Sequence, residues 1–363
     1  MTTAPRLDHL RQRLADKGID ALLIQSHFNR RYLTGFTGTD GTLLVGPKAA
    51  YLLVDFRYTE QAQAQAAGLE VVEAGGSAGK KPLLTVVRDL LTDMGANRLG
   101  LEGNHLTFEQ YTDLSAQLTG VELLSAGGLV EALRAVKDAG ELTIMRRAAA
   151  IADAAFDHIL GFMRPGLSER EVALELEFFM RRQGAEGRSF DFIVASGPRS
   201  AMPHGVASEK LLAAGELVTL DYGCIYEGYC SDMTRTVMLG EPDAKQREIY
   251  EIVLGSQRAG VDGIKPDMPG KEADAVCREY IAARGYGDFF GHGTGHGVGL
   301  EIHEEPGVGS RSTRVLEPGM VITVEPGIYL AGWGGVRIED SGVLTPSGVE
   351  VFTHAPKELI ILE

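Results

Sequence analysis

Apolar and polar positions change their period along the chain, and the changes divide it. Leu7, Leu10 and Leu14 fall on one face of an N-terminal helix. From residue 5 to about 130, helical patterns then alternate with short apolar runs, ALLI (21–24), TLLVG (42–46) and YLLVDF (51–56). That alternation predicts an α/β domain. AGGSAGKK (74–81) reads as a flexible loop and lacks the spacing of a phosphate-binding loop. Strand-like patterning gives way to a long helix within GGLVEALRAVKDAGEL (127–142), so a boundary is expected there, with one domain over 1–130 and another over 131–363. The long helix runs through Phe162, and Ser168 with Glu171 forms a capping box for a second helix reaching about Gln183. Beyond Arg188, short strands bearing polar motifs separate helices near 245–260 and 271–284, an α+β pattern.

An internal echo runs through this second domain. His204-Gly205-Val206 precedes GELVTLDYG (215–223), and His296-Gly297-Val298 precedes GMVITVEPG (319–327). The same interval separates Gly215 from Asp221 and Gly319 from Glu325. The shared order predicts two related halves facing each other across a pseudo-two-fold axis.

Composition narrows the function classes. A chain of 363 residues exceeds the size at which one core keeps growing, in keeping with two domains. The 50 acidic against 35 basic residues leave a net charge of -15, which disfavours nucleic acid and anionic membranes as partners. Cys224, Cys230 and Cys277 form no CxxC pair and suggest a reducing compartment. With no signal-type apolar segment near the N-terminus and no run of about 18 apolar residues, a cytoplasmic, unexported protein is expected.

Candidate chemistry lies in the strand motifs. In VTLDYGCIYEGYCSDMTRTV, two β-prone runs flank a turn around Tyr226 to Gly228, and a hairpin centred there sets Asp221 directly opposite Asp232. Their Cβ atoms are then about 4.5–5.5 Å apart. Like charges that close resist joint ionisation unless a cation lies between them, the alternative being two solvent-facing aspartates on an edge hairpin. VITVEPGIYLAGWGGVRIEDSGV repeats the design, with Glu325 ending one apolar strand and Glu339 in another. Period-2 alternation sets Arg337 on the face of Glu339, where a plain ion pair is the competing reading. His292, His296 and His303 cluster in GHGTGHGVGLEIHE, where five glycines between 291 and 299 argue against a helix, and no HExxH is present. Four carboxylates and one neutral imidazole balance the charge of two divalent cations. Oxygen-rich donors favour Mn²⁺, with Co²⁺ or Zn²⁺ as alternatives. Two such ions at about 3.5–4 Å polarise a carbonyl and activate water for hydrolysis.

These motifs resemble those of the pita-bread metallopeptidase family, which includes methionine aminopeptidases, aminopeptidase P and prolidase. The likeness spans nearly the whole chain, with residues 131–363 similar to the catalytic domain and the preceding part similar to its creatinase-type N-terminal domain. It implies metal ligands Asp221 in LDYG, Asp232 in SDMTRT, His296 in GHG, Glu325 in VEPG and Glu339 in RIED, with Asp232 and Glu339 bridging two ions. It further implies His204 and His303 in proton transfer and oxyanion stabilisation, and a substrate-lining set of His292, Phe190, Ile193 and Arg337, the two apolar residues forming a proline pocket. The expected activity is hydrolysis of small Xaa-Pro peptides by a homodimer. Prolidase is favoured over aminopeptidase P, and a catalytically inactive binding protein is a remote alternative. The arginine that prolidases often carry after the HE-x-P stretch is replaced by Gly307, with Arg311 and Arg314 as nearby substitutes. Asp40 in GFTGTDG reads as a turn residue.

Overall fold

A computed structural model describes residues 3–75 and 80–363; residues 76–79 of the expected AGGSAGKK loop lie outside the described ones. The chain forms two compact units, Met1–Arg134 and Ala135–Glu363.

The first unit is built on a six-stranded mixed sheet. Its edge-to-edge order is Glu70–Glu73, Ala50–Val54, Thr42–Val45, Ala21–Ile24, Arg98–Leu101, Glu122–Ser125. The three apolar runs singled out in the sequence are the three adjacent strands from Ala50–Val54 to Ala21–Ile24. Ala21–Ile24 and Thr42–Val45 are buried at every position, as strands covered on both faces are. Leu23, Leu44, Leu53 and Leu99 pack with Val87 and Leu91 of the helix Leu83–Met94.

The second unit consists of two halves of matching design. In the first, helices Ala139–Leu160 and Glu169–Arg182 cover a sheet whose antiparallel core is Ile193–Ser196, Glu216–Tyr222 and Met233–Leu239. In the second, helices Ala244–Gly263 and Gly270–Ala282 accompany a five-stranded sheet of order Glu304–Val308, Gly295–Gly297, Val321–Val324, Asp340–Thr345, Gly348–Val351. Each half has its own core: Ile151, Ala155 and Phe156 with Val218, Leu220 and Val237 in one, Val253, Cys277 and Ile281 with Ile322, Val324 and Leu344 in the other. The expected capping box is present, Ser168 Oγ accepting from Glu171 N at 3.1 Å while Glu171 Oε2 accepts from Ser168 N at 2.7 Å. The echoed glycines share a conformational reason: Gly215 and Gly319 adopt φ of +85° and +90°, which a side chain would resist.

The first acidic hairpin departs from the expected register. Thr234, not Asp232, stands opposite Asp221. The cause is the turn, which consists of Glu227 and Gly228 at φ +45° and +82° between the paired residues Tyr226 and Tyr229. Two positive-φ residues make the tight connection whose twist suits a hairpin, one residue beyond the assumed centre. The resulting two-residue slip keeps every side chain on its original face, so Asp221 and Asp232 remain on one side as diagonal neighbours. The second acidic pair does lie in register: Val324 pairs with Asp340 and Gly327 with Arg337, which leaves Glu325 facing Glu339 between the two ladders. Among the described residues, no helix is long and apolar enough to cross a membrane.

Candidate active site

The two acidic hairpins and the glycine-rich histidine segment converge on a cavity of about 390 Å³ in the second unit. The eleven side chains expected to hold metal, move protons or line the substrate site all border it: Phe190, Ile193, His204, Asp221, Asp232, His292, His296, His303, Glu325, Arg337 and Glu339. Ile302, Pro203 and Val206 join Phe190 and Ile193 as its apolar lining.

At the polar end, donor atoms of Asp232, His296 and Glu339 all lie within 4.8 Å of one another, a grouping able to hold a metal ion. His296 Nε2 is 3.5 Å from Asp232 Oδ2 and 3.3 Å from Glu325 Oε1. Backbone geometry permits this approach because glycine stands on both sides of His296. A Cβ on Gly295 would fall 2.0 Å from Thr323 O, and one on Gly297 2.3 Å from Glu305 O. The imidazole Nδ1 lies 3.0 Å from Gly297 O, a contact that a proton on Nδ1 turns into a hydrogen bond, leaving Nε2 as the free donor atom.

Electrostatics at this end call for a cation. Burial, then Glu339, Asp221 and Glu325, push the Asp232 carboxyl well above the usual carboxylate range. Glu339 is raised by burial and by Glu325 and Asp221, and Glu325 mainly by burial. His296 is held below its ordinary pKa by burial, which keeps it in the neutral form that ligates. Asp221 is held differently. Arg337 Nη2 donates to its Oδ2 at 2.6 Å, whereas the buried Oδ1 accepts from no donor among the described residues. An unpartnered buried carboxylate oxygen beside three further acids fits a divalent ion as its missing partner.

Supporting residues orient these groups. Thr234 Oγ1 donates to Glu339 Oε2 at 2.6 Å and accepts from Arg337 Nε at 3.2 Å, while Thr323 Oγ1 donates to Glu325 Oε1 at 2.9 Å. Arg337 Nη1 donates to Tyr329 OH at 2.9 Å, and that hydroxyl lies 2.8 Å from His292 Nε2. Thus Arg337 lines the cavity with its Nε, Nη1 and Nη2 each engaged by a protein group. Burial works against its charge, but Tyr329, Asp221 and Glu325 outweigh it. Burial pushes the Tyr329 phenol up to about 12, so it stays protonated. His303 stacks edge-on to His296 with ring centroids 4.3 Å apart, and His204 is exposed. Burial first, then His296, lowers the His303 pKa. Arg311 and Arg314 do not line the cavity.

Sequence reasoning missed Thr234, Thr323 and Tyr329. The two threonines were within reach of it, each lying two positions from an acid on the same strand face, Thr234 after Asp232 and Thr323 before Glu325. Tyr329 carries no comparable signal, because the hairpin Gly327–Leu330 with Gly334–Arg337 is what brings it to Arg337.

Comparison with known proteins places the chain in a family over nearly its whole length. Metallopeptidase family M24 matches residues 143–346, and the creatinase/prolidase N-terminal domain matches residues 6–136. An Xaa-Pro dipeptidase of Pyrococcus furiosus is 39% identical over 98% of this chain and 99% of its own length. The solved structure of an Xaa-Pro dipeptidase from Bacillus anthracis superposes with a TM-score of 0.96 at 52% identity, covering 99% of this chain and 100% of the other. That of an X-Pro aminopeptidase from Thermotoga maritima gives 0.88 at 38% identity, covering 95% and 98%.

Proposed function

Because the chain belongs to metallopeptidase family M24, we propose that it is an Xaa-Pro dipeptidase using two divalent ions held by Asp221, Asp232, His296, Glu325 and Glu339. The observation that carries this reading is the composition of one cavity: four carboxylates and a neutral imidazole at one end, apolar Phe190, Ile193, Pro203, Val206 and Ile302 elsewhere on its walls. Asp232 and Glu339, grouped with His296, would hold the ions together with Asp221 and Glu325, and Mn²⁺ is the ion that the oxygen-rich donor set suits best. When bound, such ions supply Lewis acidity toward the scissile carbonyl and activation of water.

The remaining steps belong to the chain's own groups. The bond before proline is a tertiary amide with no N–H, so its recognition needs an apolar surface in place of a hydrogen-bond acceptor, and Phe190 and Ile193 provide one. His204 and His303 line the cavity, and we assign them to hold a proton or donate to the carbonyl oxygen as charge develops on it. Arg337 keeps Oδ2 of Asp221 engaged, and the buried Oδ1 is the oxygen left for an ion.

A second reading, Xaa-Pro aminopeptidase, is favoured by the likeness to the Thermotoga enzyme and by the position of Arg311 and Arg314 away from the cavity lining. Purified protein with Mn²⁺, given an Xaa-Pro dipeptide and an Xaa-Pro-Yaa tripeptide, separates the two. Hydrolysis of the dipeptide is expected; release of the first residue from the tripeptide alone overturns the dipeptidase reading. We also assign the chain to the cytoplasm as a homodimer. Three unpaired buried thiols suit a reducing compartment, and light scattering of the purified protein tests the assembly.

A further inference from the structure

The segment from Ser196 to Ser208 carries Pro203, His204 and Val206 into the cavity, yet much of it is loop. Its two ends meet at one carboxylate. Glu169, at the first position of the helix Glu169–Arg182, is fully buried. Its Oε1 accepts from Ser196 N and from Ser196 Oγ, both at 2.9 Å. Its Oε2 accepts from Ser208 N at 3.2 Å and from Ser208 Oγ at 2.7 Å. Arg199, inside the segment, pairs with the same Oε2 through Nη1 and donates from Nη2 to Val206 O at 2.9 Å. One ion pair therefore ties the base of the segment to the residue two positions beyond His204. Midway, Ser200 Oγ accepts from Gly335 N at 2.8 Å, which fastens the segment to the hairpin that presents Arg337 and Tyr329.

We propose that Glu169 and Arg199 are positioning residues, a buried clamp that fixes the segment 196–208 and thereby places His204 for catalysis without itself touching substrate. The inference rests on the reading of His204 as a group acting in Xaa-Pro hydrolysis. A fully buried carboxylate needs its charge compensated, and here both serine ends and the guanidinium compensate it only while the segment stays folded back on the helix. Neither residue lines the cavity, so their effect on turnover is exerted through geometry. Misplacement by about 1 Å can cost on the order of 100-fold in rate.

The test pairs a structural with a kinetic measurement on the full chain. Arg199→Leu removes both guanidinium contacts at a partly exposed side chain, and Glu169→Gln serves as a second, isosteric variant. Hydrogen exchange is expected to quicken across 197–207, with Mn²⁺ affinity retained and kcat/KM on an Xaa-Pro dipeptide lowered about 10- to 100-fold, mostly in kcat. In a His204→Ala background, Arg199→Leu should cost no more than about twofold further, because the two changes act on one element. Unchanged exchange overturns the clamp. Fold-losses that multiply, or a harmless His204→Ala beside a damaging Arg199→Leu, overturn its action through His204. A wild-type chain that cleaves no Xaa-Pro peptide would sink the activity reading alone, with exchange still deciding whether the clamp holds the segment.

Discussion

At the scale of single residues, the site is governed by how each carboxylate's oxygens are occupied. Asp221 has one oxygen engaged by Arg337, and Glu339 has one engaged by Thr234. Thr234 is thus the hinge between the cation and the acid cluster, since its hydroxyl also accepts from Arg337. Thr234→Val keeps the shape and removes both bonds. We expect Mn²⁺ affinity to fall about 10- to 100-fold, the usual cost of losing a residue that orients a ligand, with the fold retained by circular dichroism. Titration calorimetry giving an unchanged affinity would refute that role. The raised carboxyls of Asp232, Glu325 and Glu339 set the pH dependence. Without metal, the native chain holds protons on these groups at a pH where the unfolded chain has released them, so metal-free stability falls as pH rises through their raised values. Metal binding requires those protons to leave, so affinity moves the opposite way and weakens on acidification through the raised values. Calorimetry in buffers of different ionisation enthalpy should detect net proton release on binding. A buffer-independent enthalpy would contradict the shifts.

At the scale of elements, close backbone approach and turn chemistry decide where the ligands go. The strand Gly295–Gly297 is squeezed between Glu304–Val308 and Val321–Val324, and glycine on each side of His296 is the condition for that packing. Gly295→Ala would drive a methyl group into Thr323 O, so the strand must shift and carry His296 with it. We expect a loss of roughly 1–3 kcal/mol in stability by denaturant unfolding, together with weaker metal binding. A variant with wild-type unfolding and metal affinity would show the strand to be more yielding than its contacts imply. The same features explain what the sequence made legible. Apolar runs revealed three of the six strands of the first unit, and the Gly215 and Gly319 echo revealed the paired halves, because both signals lie in short stretches of sequence. Five glycines correctly excluded a helix around His296. The register of the first hairpin was misread because it depends on whether Glu227 and Gly228 both turn left-handed, a choice that hydrophobic pattern does not encode. Tyr329 and the Glu169–Arg199 pair were invisible for another reason: Tyr329 meets Arg337 only once a hairpin closes and His292 only through tertiary packing, and Glu169 and Arg199 lie 30 positions apart.

For the molecule as a whole, the decisive fact is how the proposed ligand set is divided. Asp221 and Asp232 belong to the first half of the second unit, while His296, Glu325 and Glu339 belong to the second half. Each half has its own apolar core, and the acids between them resist ionising together, so without a cation they retain protons. A metal ion bound there would take the place of those protons and join the halves through shared coordination. Binding to the native state alone stabilises it by about 2.7 kcal/mol when free ion is at 100 times Kd. For a unit of this size, each kcal/mol moves Tm by roughly 2–4 °C, so saturation with Mn²⁺ should raise Tm by roughly 5–10 °C over protein stripped with a chelator. The increment should shrink in Asp232→Ala, which removes a shared ligand, and turnover there should fall at least about 100-fold, since even a residue that merely supports a ligand can cost that much. Differential scanning calorimetry with and without ion measures the first effect, and dipeptide hydrolysis the second. If Asp232→Ala kept the full thermal increment and normal turnover, Asp232 could not be a ligand, and coordination across the two halves would have to be abandoned.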